Sequence, residues 1–377
     1  MSRYVVLCTI LTFIQLTISP PATAEDRFAG FPNINQFRPG QRSLEVITSD
    51  GVPGLVRPVW TRCISELGRN PRLFRLNDKI FVAYSHLDGH RNKRFEATGE
   101  CRAMMSRDDG KTWERLPALP RVDVEFEFAV KGDTIYRYTF LDRKQTHVRT
   151  SQDGIKWSDP TPVYKGPFWL WGVKYDKKTD AFWCAAHAIP GYGASKERQI
   201  HLITSKDGID WKFVDQVVPY NNSSESILRF DNDGTMTIVI RRKYGSTFSV
   251  AVGKPPYTAW EITSQPMIAE GQHFYDFGGK TFMTSRAAYQ GKDERVLNNP
   301  KLYGSRRAYS LIYHMTPNRE FVPWAIMDSM GDSSYACLLE TKEGILCTYY
   351  SQHEDKVSKI FLSLYDRDQF LAGPKSQ

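Results

Sequence analysis

Apolar and aromatic positions along the chain fall into short runs that alternate with polar ones, and no stretch repeats with a helical period. The runs come in pairs split by Asp, Asn or Gly, the mark of strand, tight turn, strand. Six such hairpins stand out. They cover 71–84 turning at Asn77 and Asp78, 126–140 turning at 131–133, 168–185 turning within 176–180, 225–241 turning at 231–234, 272–286 turning at Gly278 and Gly279, and 335–349 turning near 342–344. Their starts lie roughly 45–60 residues apart, near the repeat length of propeller blades. Outer strand pairs follow, the fourth and fifth near 248–262 and 308–326. After the sixth hairpin only 358–365 reads as a strand. Residues between 42 and 59 are therefore expected to complete the last blade, which hides the edges an open array would expose. The pattern predicts an all-β chain, a single six-bladed β-propeller over 25–377 with no linker to divide it.

Three turns repeat one motif: Ser106, Asp108, Gly110 and Trp113; Ser151, Asp153, Gly154 and Trp157; Ser205, Asp207, Gly208 and Trp211. Each follows a strand-like stretch. The Asp carboxylate and Ser hydroxyl can bond turn amides, Gly supplies a positive φ, and Trp packs back on the sheet. These turns resemble the Asp boxes of sialidases and related BNR-repeat propellers. They bear on fold rather than chemistry, since such turns join outer strands.

Composition adds boundaries. Hydrophobic residues make up 41% and charged residues 24%, which argues against a disordered chain and a multi-span membrane protein. Arg3 precedes an apolar run over 4–18, and Ala22, Thr23 and Ala24 offer small residues for cleavage. A signal peptide over 1–24 is expected, giving a secreted or periplasmic protein with no stable membrane insertion; a single uncleaved anchor is the alternative. The formal charge of +8 becomes 8 − 1 = +7 without Arg3, which favours a sialylated or other acidic glycan as partner. No dense Lys/Arg run or nucleic-acid motif accompanies it, so nucleic acid is not an expected partner. Beyond the signal, Cys63, Cys101, Cys184, Cys337 and Cys347 form an odd, scattered set, compatible with one or two disulfides or with buried thiols. No metal-ligand spacing occurs, and no cofactor is expected.

The starts of the innermost strands converge on a propeller axis. Arg69, Asn70 and Pro71 open the first blade, Glu225 the fourth with Arg241 at the end of its hairpin, and Ser334 and Tyr335 the sixth. Arg242 is the alternative to Arg241, because adjacent strand residues face opposite ways. Arg306 and Arg307 lie in the fifth blade's region. This constellation resembles the active site of exo-sialidases (neuraminidases). Arg69-Asn70-Pro71 matches their Arg-Ile-Pro motif. Glu225, Asp233-Gly234 and Arg241 match a Glu, Asp-Gly turn and Arg. Tyr335-Ala336 with Gly344 and Tyr350 approximates their tyrosine strand.

The resemblance implies a retaining exo-glycosidase acting on terminal sialic acids, with Tyr335 as nucleophile and Glu225 as its base. Arg69, Arg241 and Arg307, with Arg306 the alternative to Arg307, would clamp the sugar carboxylate through charge-assisted bonds. That carboxylate repels an Asp or Glu nucleophile, which accounts for a neutral tyrosine. For the acid/base, Asp88 keeps the residue type and Glu96 the spacing to the first Asp box. Tyr335 is followed by Ala336 where the family has Ser, and a Glu after Tyr350 is missing. A non-catalytic carbohydrate-binding propeller, and a glycosidase or lyase on another anionic sugar, are the alternatives. Among Asp123, Glu125 and Glu127, Glu125 is the candidate for substrate hydroxyl or amine groups, and Trp169 for a stacking wall.

Overall fold

A computed structural model describes residues 55–86, 100–119, 126–141, 144–188, 198–218, 223–242, 248–265, 269–289, 307–329, 332–354 and 357–374. All fall in the compact unit Pro32–Gln377. Six antiparallel sheets form six blades. The first blade holds β2 (Arg69–Leu76), β3 (Lys79–His86), β4 (Glu100–Ser106) and β5 (Glu114–Arg115). The second holds β6 (Phe126–Lys131), β7 (Thr134–Leu141), β8 (Gln145–Ser151) and β9 (Thr161–Pro162). In the third, β10 (Phe168–Trp169) and β11 (Lys174–Asp176) both pair with β12 (Ala181–Ala188), followed by β13 (Ile200–Ser205) and β14 (Lys212–Val218). The fourth comprises β15 (Ser223–Phe230), β16 (Met236–Arg242), β17 (Ser249–Gly253) and β18 (Glu261–Ser264). The fifth comprises β19 (Glu270–Phe277), β20 (Lys280–Tyr289), β21 (Arg307–Met315) and β22 (Phe321–Ile326). The sixth has β23 (Ser334–Glu340), β24 (Ile345–Ser351) and β25 (Lys359–Tyr365), completed by β1 (Trp60–Ser65).

Inner strands contact one another around the ring: β2 with β6, β6 with β11, β12 with β15, β15 with β19, β19 with β23, and β23 with β2. The ring therefore closes after six blades. Closure comes from Trp60–Ser65, immediately after the expected 42–59. The short connection from β1 to β2 explains the difference. Gly68 donates its N–H to Ser358 O at 2.8 Å, and a Cβ there would lie 2.7 Å from both Ile360 and Tyr84. The chain can thus cross from the sixth blade to the first only by a close backbone approach.

The three Asp boxes fold as their residues dictate. In the second, Ser151 Oγ accepts from Gly154 N at 2.9 Å, Asp153 Oδ1 from Ile155 and Lys156 N, and Trp157 donates to Gly154 O. The boxes also join blades. A Cβ on Gly154 would meet the Phe81 ring of the first blade at 2.7 Å, and one on Gly208 the Tyr138 hydroxyl of the second at 2.8 Å. The helix α1 (Arg367–Ala372), capped by Asp366, buries Phe370 against Phe282 and Tyr365. All five described cysteines are free thiols, four of them buried. Among the described residues, no helix is long and apolar enough to cross a membrane.

One irregularity recurs where the inner strands begin. Register shifts lie between Arg69 and Arg72, Ser223 and Ser226, Glu270 and His273, and Ser334 and Cys337. Asn70, Gly271 and Tyr335 adopt φ of 50°, 61° and 53° there. Such bulges re-aim side chains, and they turn these strand starts toward the axis.

Candidate active site

Tyr335 stands at the centre of the axial cluster. A left-handed backbone is costly for a tyrosine, so the surroundings must hold it in place. Its ring packs against Trp171 (centroids 5.1 Å apart) and Tyr350 (6.0 Å), with the Arg72 guanidinium 5.4 Å from its centroid. Its hydroxyl donates to Glu225 Oε1 at 2.9 Å. The Glu225 backbone carbonyl is fixed in turn by Gln272 Nε2 at 2.8 Å.

Glu225 also pairs with Arg241 through Oε2. Burial pushes its carboxyl up, but the Arg241 guanidinium, with help from His187 and the Tyr335 hydroxyl, outweighs burial and holds it well below the ordinary value of 4.5. Arg69 is fully buried and donates through Nη2 to Asp332 at 2.7 Å and to Tyr350 Oη at 3.2 Å. Tyr350 donates to Asp332 Oδ1 at 2.7 Å. Burial, then Asp332, pushes the Tyr350 phenol up, which keeps it protonated.

A further guanidinium of the cluster is Arg286, which the sequence does not single out by the motif that points to Arg307. Arg286 ends its hairpin opposite Glu270 and bonds Glu270 and Asp332. Arg307 opens β21, opposite Tyr289, and its side chain lies outside the described residues, as does Arg306. Glu270 and Arg286 stand sixteen apart, as do Glu225 and Arg241, so the same spacing in the next blade was the available signal. Arg242 sits in the backbone pair with Ser223, and it is Arg241 that joins the cluster.

Asp88, Glu96 and Glu125 lie outside the described residues. Glu127, of the same acidic group, points inward and bonds Arg72 Nε at 2.9 Å, with His273 Nε2 at 3.4 Å. Burial raises its carboxyl, and Arg72 and His273 more than reverse that. In the third blade Trp169 stacks on Phe140 (centroids 6.0 Å, 8°) and on His187 (5.7 Å, 29°). Trp171, fully buried beneath it, bears on Tyr335 and on Arg72. Among the described residues, no group of three or more His, Cys, Asp or Glu side chains is placed to hold a metal ion. The cluster therefore joins a tyrosine hydroxyl to a carboxylate beside a set of guanidiniums.

No known family profile matches the chain, and no curated protein does. Solved structures do. Trypanosoma rangeli sialidase in complex with the inhibitor DANA is similar over 82% of this chain and 57% of its own, with a TM-score of 0.57 at 13% identity. The same enzyme as a covalent intermediate with 2,3-difluorosialic acid gives 0.55 at 13%, over 80% and 54%. Phage phi92 endosialidase gives 0.59 at 8%, over 82% of this chain and 69% of its own. The chain thus spans little more than half the length of the Trypanosoma enzyme. At these identities the likeness concerns fold alone: the chain is a six-bladed β-propeller of the sialidase type.

Proposed function

We propose that the protein is a retaining exo-glycosidase in which Tyr335 is the nucleophile and Glu225 its general base. One observation carries the reading: the buried Tyr335 hydroxyl donates to Glu225 Oε1 at 2.9 Å where the inner strands converge. In the first step Glu225 takes the phenolic proton as Tyr335 Oη bonds the anomeric carbon. The bond from that carbon to the leaving oxygen breaks, and the leaving oxygen takes a proton from an acid. Asp88 and Glu96 are the candidates for that acid. In the second step water displaces Tyr335, the same acid now acts as base, and Glu225 returns the proton to the phenolate. The held-down carboxyl of Glu225 keeps it ionised and ready to accept. The covalent intermediate captured in the Trypanosoma rangeli enzyme supports this class of chemistry on this fold.

Terminal sialic acid is a second reading of the sugar, favoured by three guanidinium groups meeting beside the couple. Export through a signal over 1–24 belongs to the proposal and would bring the protein to extracellular or periplasmic glycans. The test is to incubate the purified protein with activated fluorinated glycosides, sialyl and neutral, and to map the adduct by peptide mass spectrometry. A glycosyl adduct on Tyr335, absent in Tyr335→Phe, supports the mechanism. Hydrolysis of fluorogenic glycosides with unchanged turnover in Tyr335→Phe would sink it. Binding without turnover or adduct would favour the non-catalytic module.

A further inference from the structure

Two arginines of one strand reach the axis. Plain alternation along β2 would send Arg69 and Arg72 to opposite faces. The register shift between them, with Asn70 at φ 50°, turns both inward, and both are buried. Arg69 bonds Asp332 and Tyr350. Arg72 instead faces aromatic rings. Its guanidinium carbon lies 4.8 Å from the Trp171 ring centroid and 5.4 Å from that of Tyr335. Its N–H groups fix it there: Nη1 donates to Pro71 O at 2.9 Å, and Nε, also at 2.9 Å, shares Glu127 Oε1 with Nη2. His273 Nε2 lies 3.4 Å from the same Glu127 oxygen, and its ring centroid is 5.6 Å from that of Trp171. Arg72 of the first blade, Glu127 of the second, Trp171 of the third and His273 of the fifth thus form a shelf beside Tyr335 of the sixth.

Burial disfavours the Arg72 charge, but the Glu127 carboxylate outweighs burial, so Arg72 stays protonated. A cation over a neutral phenol meets only the ring quadrupole. Over a phenolate it meets a full negative charge, so its attraction grows as the phenol ionises. In the proposed reaction negative charge grows on Tyr335 twice, as Glu225 takes the proton and as the phenolate leaves the anomeric carbon. Glu127, the anion paired with Arg72, offsets part of that field. Other ionisable groups bear on Tyr335 too: Arg69 on β2, Glu225 and Arg241 on β15 and β16, Arg286 on β20 and Tyr350 on β24. Behind them stand Glu270 on Arg241, Asp332 on Arg69, and His187 near Glu225. Burial keeps the Cys337 thiol, on the same strand as Tyr335, protonated. All of these are common to the variants compared below.

We propose that Arg72 is a positioning residue that stabilises the Tyr335 phenolate through the face of its ring, and that Glu127 moderates its strength. The proposal rests on the reading of Tyr335 as nucleophile, and adds the residue that eases departure of the phenolate in the second step. Arg72 acts through Tyr335 and needs no contact with the sugar, in keeping with its burial.

The test is titration of the Tyr335 phenol by fluorine NMR in protein labelled with fluorotyrosine, its signal assigned by its loss in Tyr335→Phe. Fluorine acidifies a phenol and brings its midpoint toward conditions in which the protein stays folded. Arg72→Gln should raise the midpoint by about one pH unit or more, the scale of removing an opposite charge at this distance. Arg72→Lys keeps the charge and should restore most of the wild-type midpoint, whereas Glu127→Gln should lower it. A merely structural role predicts neither that rescue nor the opposite sign. Equal midpoints in wild type and Arg72→Gln would overturn the proposal. Should Arg72→Gln fail to fold with Glu127 unpaired, the double variant Arg72→Gln with Glu127→Gln removes both buried charges and is compared with Glu127→Gln alone. A midpoint no higher in the double variant overturns the proposal. Titration needs no substrate, so the two readings fail separately. A shifted phenol in a protein that forms no Tyr335 adduct supports the role of Arg72 and counts against the glycosidase reading alone.

Discussion

The rings of Tyr335 and Tyr350 lie 6.0 Å apart with 21° between their planes, yet their hydroxyls serve different carboxylates. Tyr335 donates to Glu225 at 2.9 Å and Tyr350 to Asp332 at 2.7 Å. Asp332 already bridges two guanidiniums, so Tyr350 sits in a closed network, whereas Tyr335 adjoins the carboxylate that opens the fourth blade. Tyr335→Phe should lower turnover of a fluorogenic glycoside on the order of a thousandfold or more, the scale of losing a nucleophile. Tyr350→Phe should retain turnover within about tenfold and instead lose about 1–3 kcal/mol of stability, as Asp332 and Arg69 each lose a partner. Turnover and urea midpoints for both variants check this. The reverse ranking would move the nucleophile to Tyr350.

The Asp boxes should be separable from the chemistry. Ser151→Ala removes the acceptor of Gly154 N and a donor to Asp153, and should cost about 1–2 kcal/mol in urea denaturation. Its kcat/KM should match wild type within about twofold, since the box lies between outer strands. A large drop in turnover at unchanged stability would refute that division.

Most of the blade pattern was legible because it is local. Turn residues such as Asn77, Gly132 and Gly278 lie where the chain reverses, with positive φ at each, and alternation fixes which face is buried. The Glu225–Arg241 pair was legible for the same reason, since both belong to one hairpin. What failed depended on lengths that alternation does not constrain. Arg286 is reached by counting sixteen residues from Glu270, its hairpin partner, and not by counting back from Tyr335. The closing strand was placed too early because its register is set by contact with β25 across the whole chain. The bridges from Glu270 to Arg241 and from Asp332 to Arg69 join different blades, and no single hairpin encodes them.

Gly271 ties the fold to the site. It adopts φ 61°, and a Cβ there would collide with Ser334 Oγ and lie 2.9 Å from the Tyr335 ring. Neither neighbour can yield easily, because Ser334 bonds Glu270 O at 3.2 Å and the Tyr335 ring is packed between Trp171 and Tyr350. Gly271→Ala should therefore displace Tyr335, lowering turnover more than tenfold and stability by about 1–3 kcal/mol. Gly132→Ala, with a similar φ of 56° and nothing within 4 Å of its Cβ, is the control for backbone strain. Equal effects of the two substitutions on turnover would disprove the steric link.

Stability should depend on pH in a way that Arg241 reverses. In the folded protein Glu225 stays ionised below its ordinary 4.5, because Arg241 outweighs burial. Between that value and the lowered folded one, the unfolded chain binds a proton that the folded chain does not. Stability is then fully present above about pH 4.5 and falls as pH drops through the lowered range. Glu127, held down by Arg72 and His273, adds to the same slope. Arg241→Gln leaves Glu225 with burial as its dominant influence, so its carboxyl should rise above the ordinary value. The folded variant would then bind the proton more readily than the unfolded chain. Its Glu225 contribution would be lost as pH rises above about 4.5, opposite in sign to wild type. An overall loss of about 3–5 kcal/mol near neutrality should accompany this, the scale of breaking a buried pair. Denaturation midpoints of both proteins from about pH 3 to 7 check the sign. Parallel curves would mean that Arg241 does not control the ionisation of Glu225, and would remove the electrostatic basis for using Glu225 as the base.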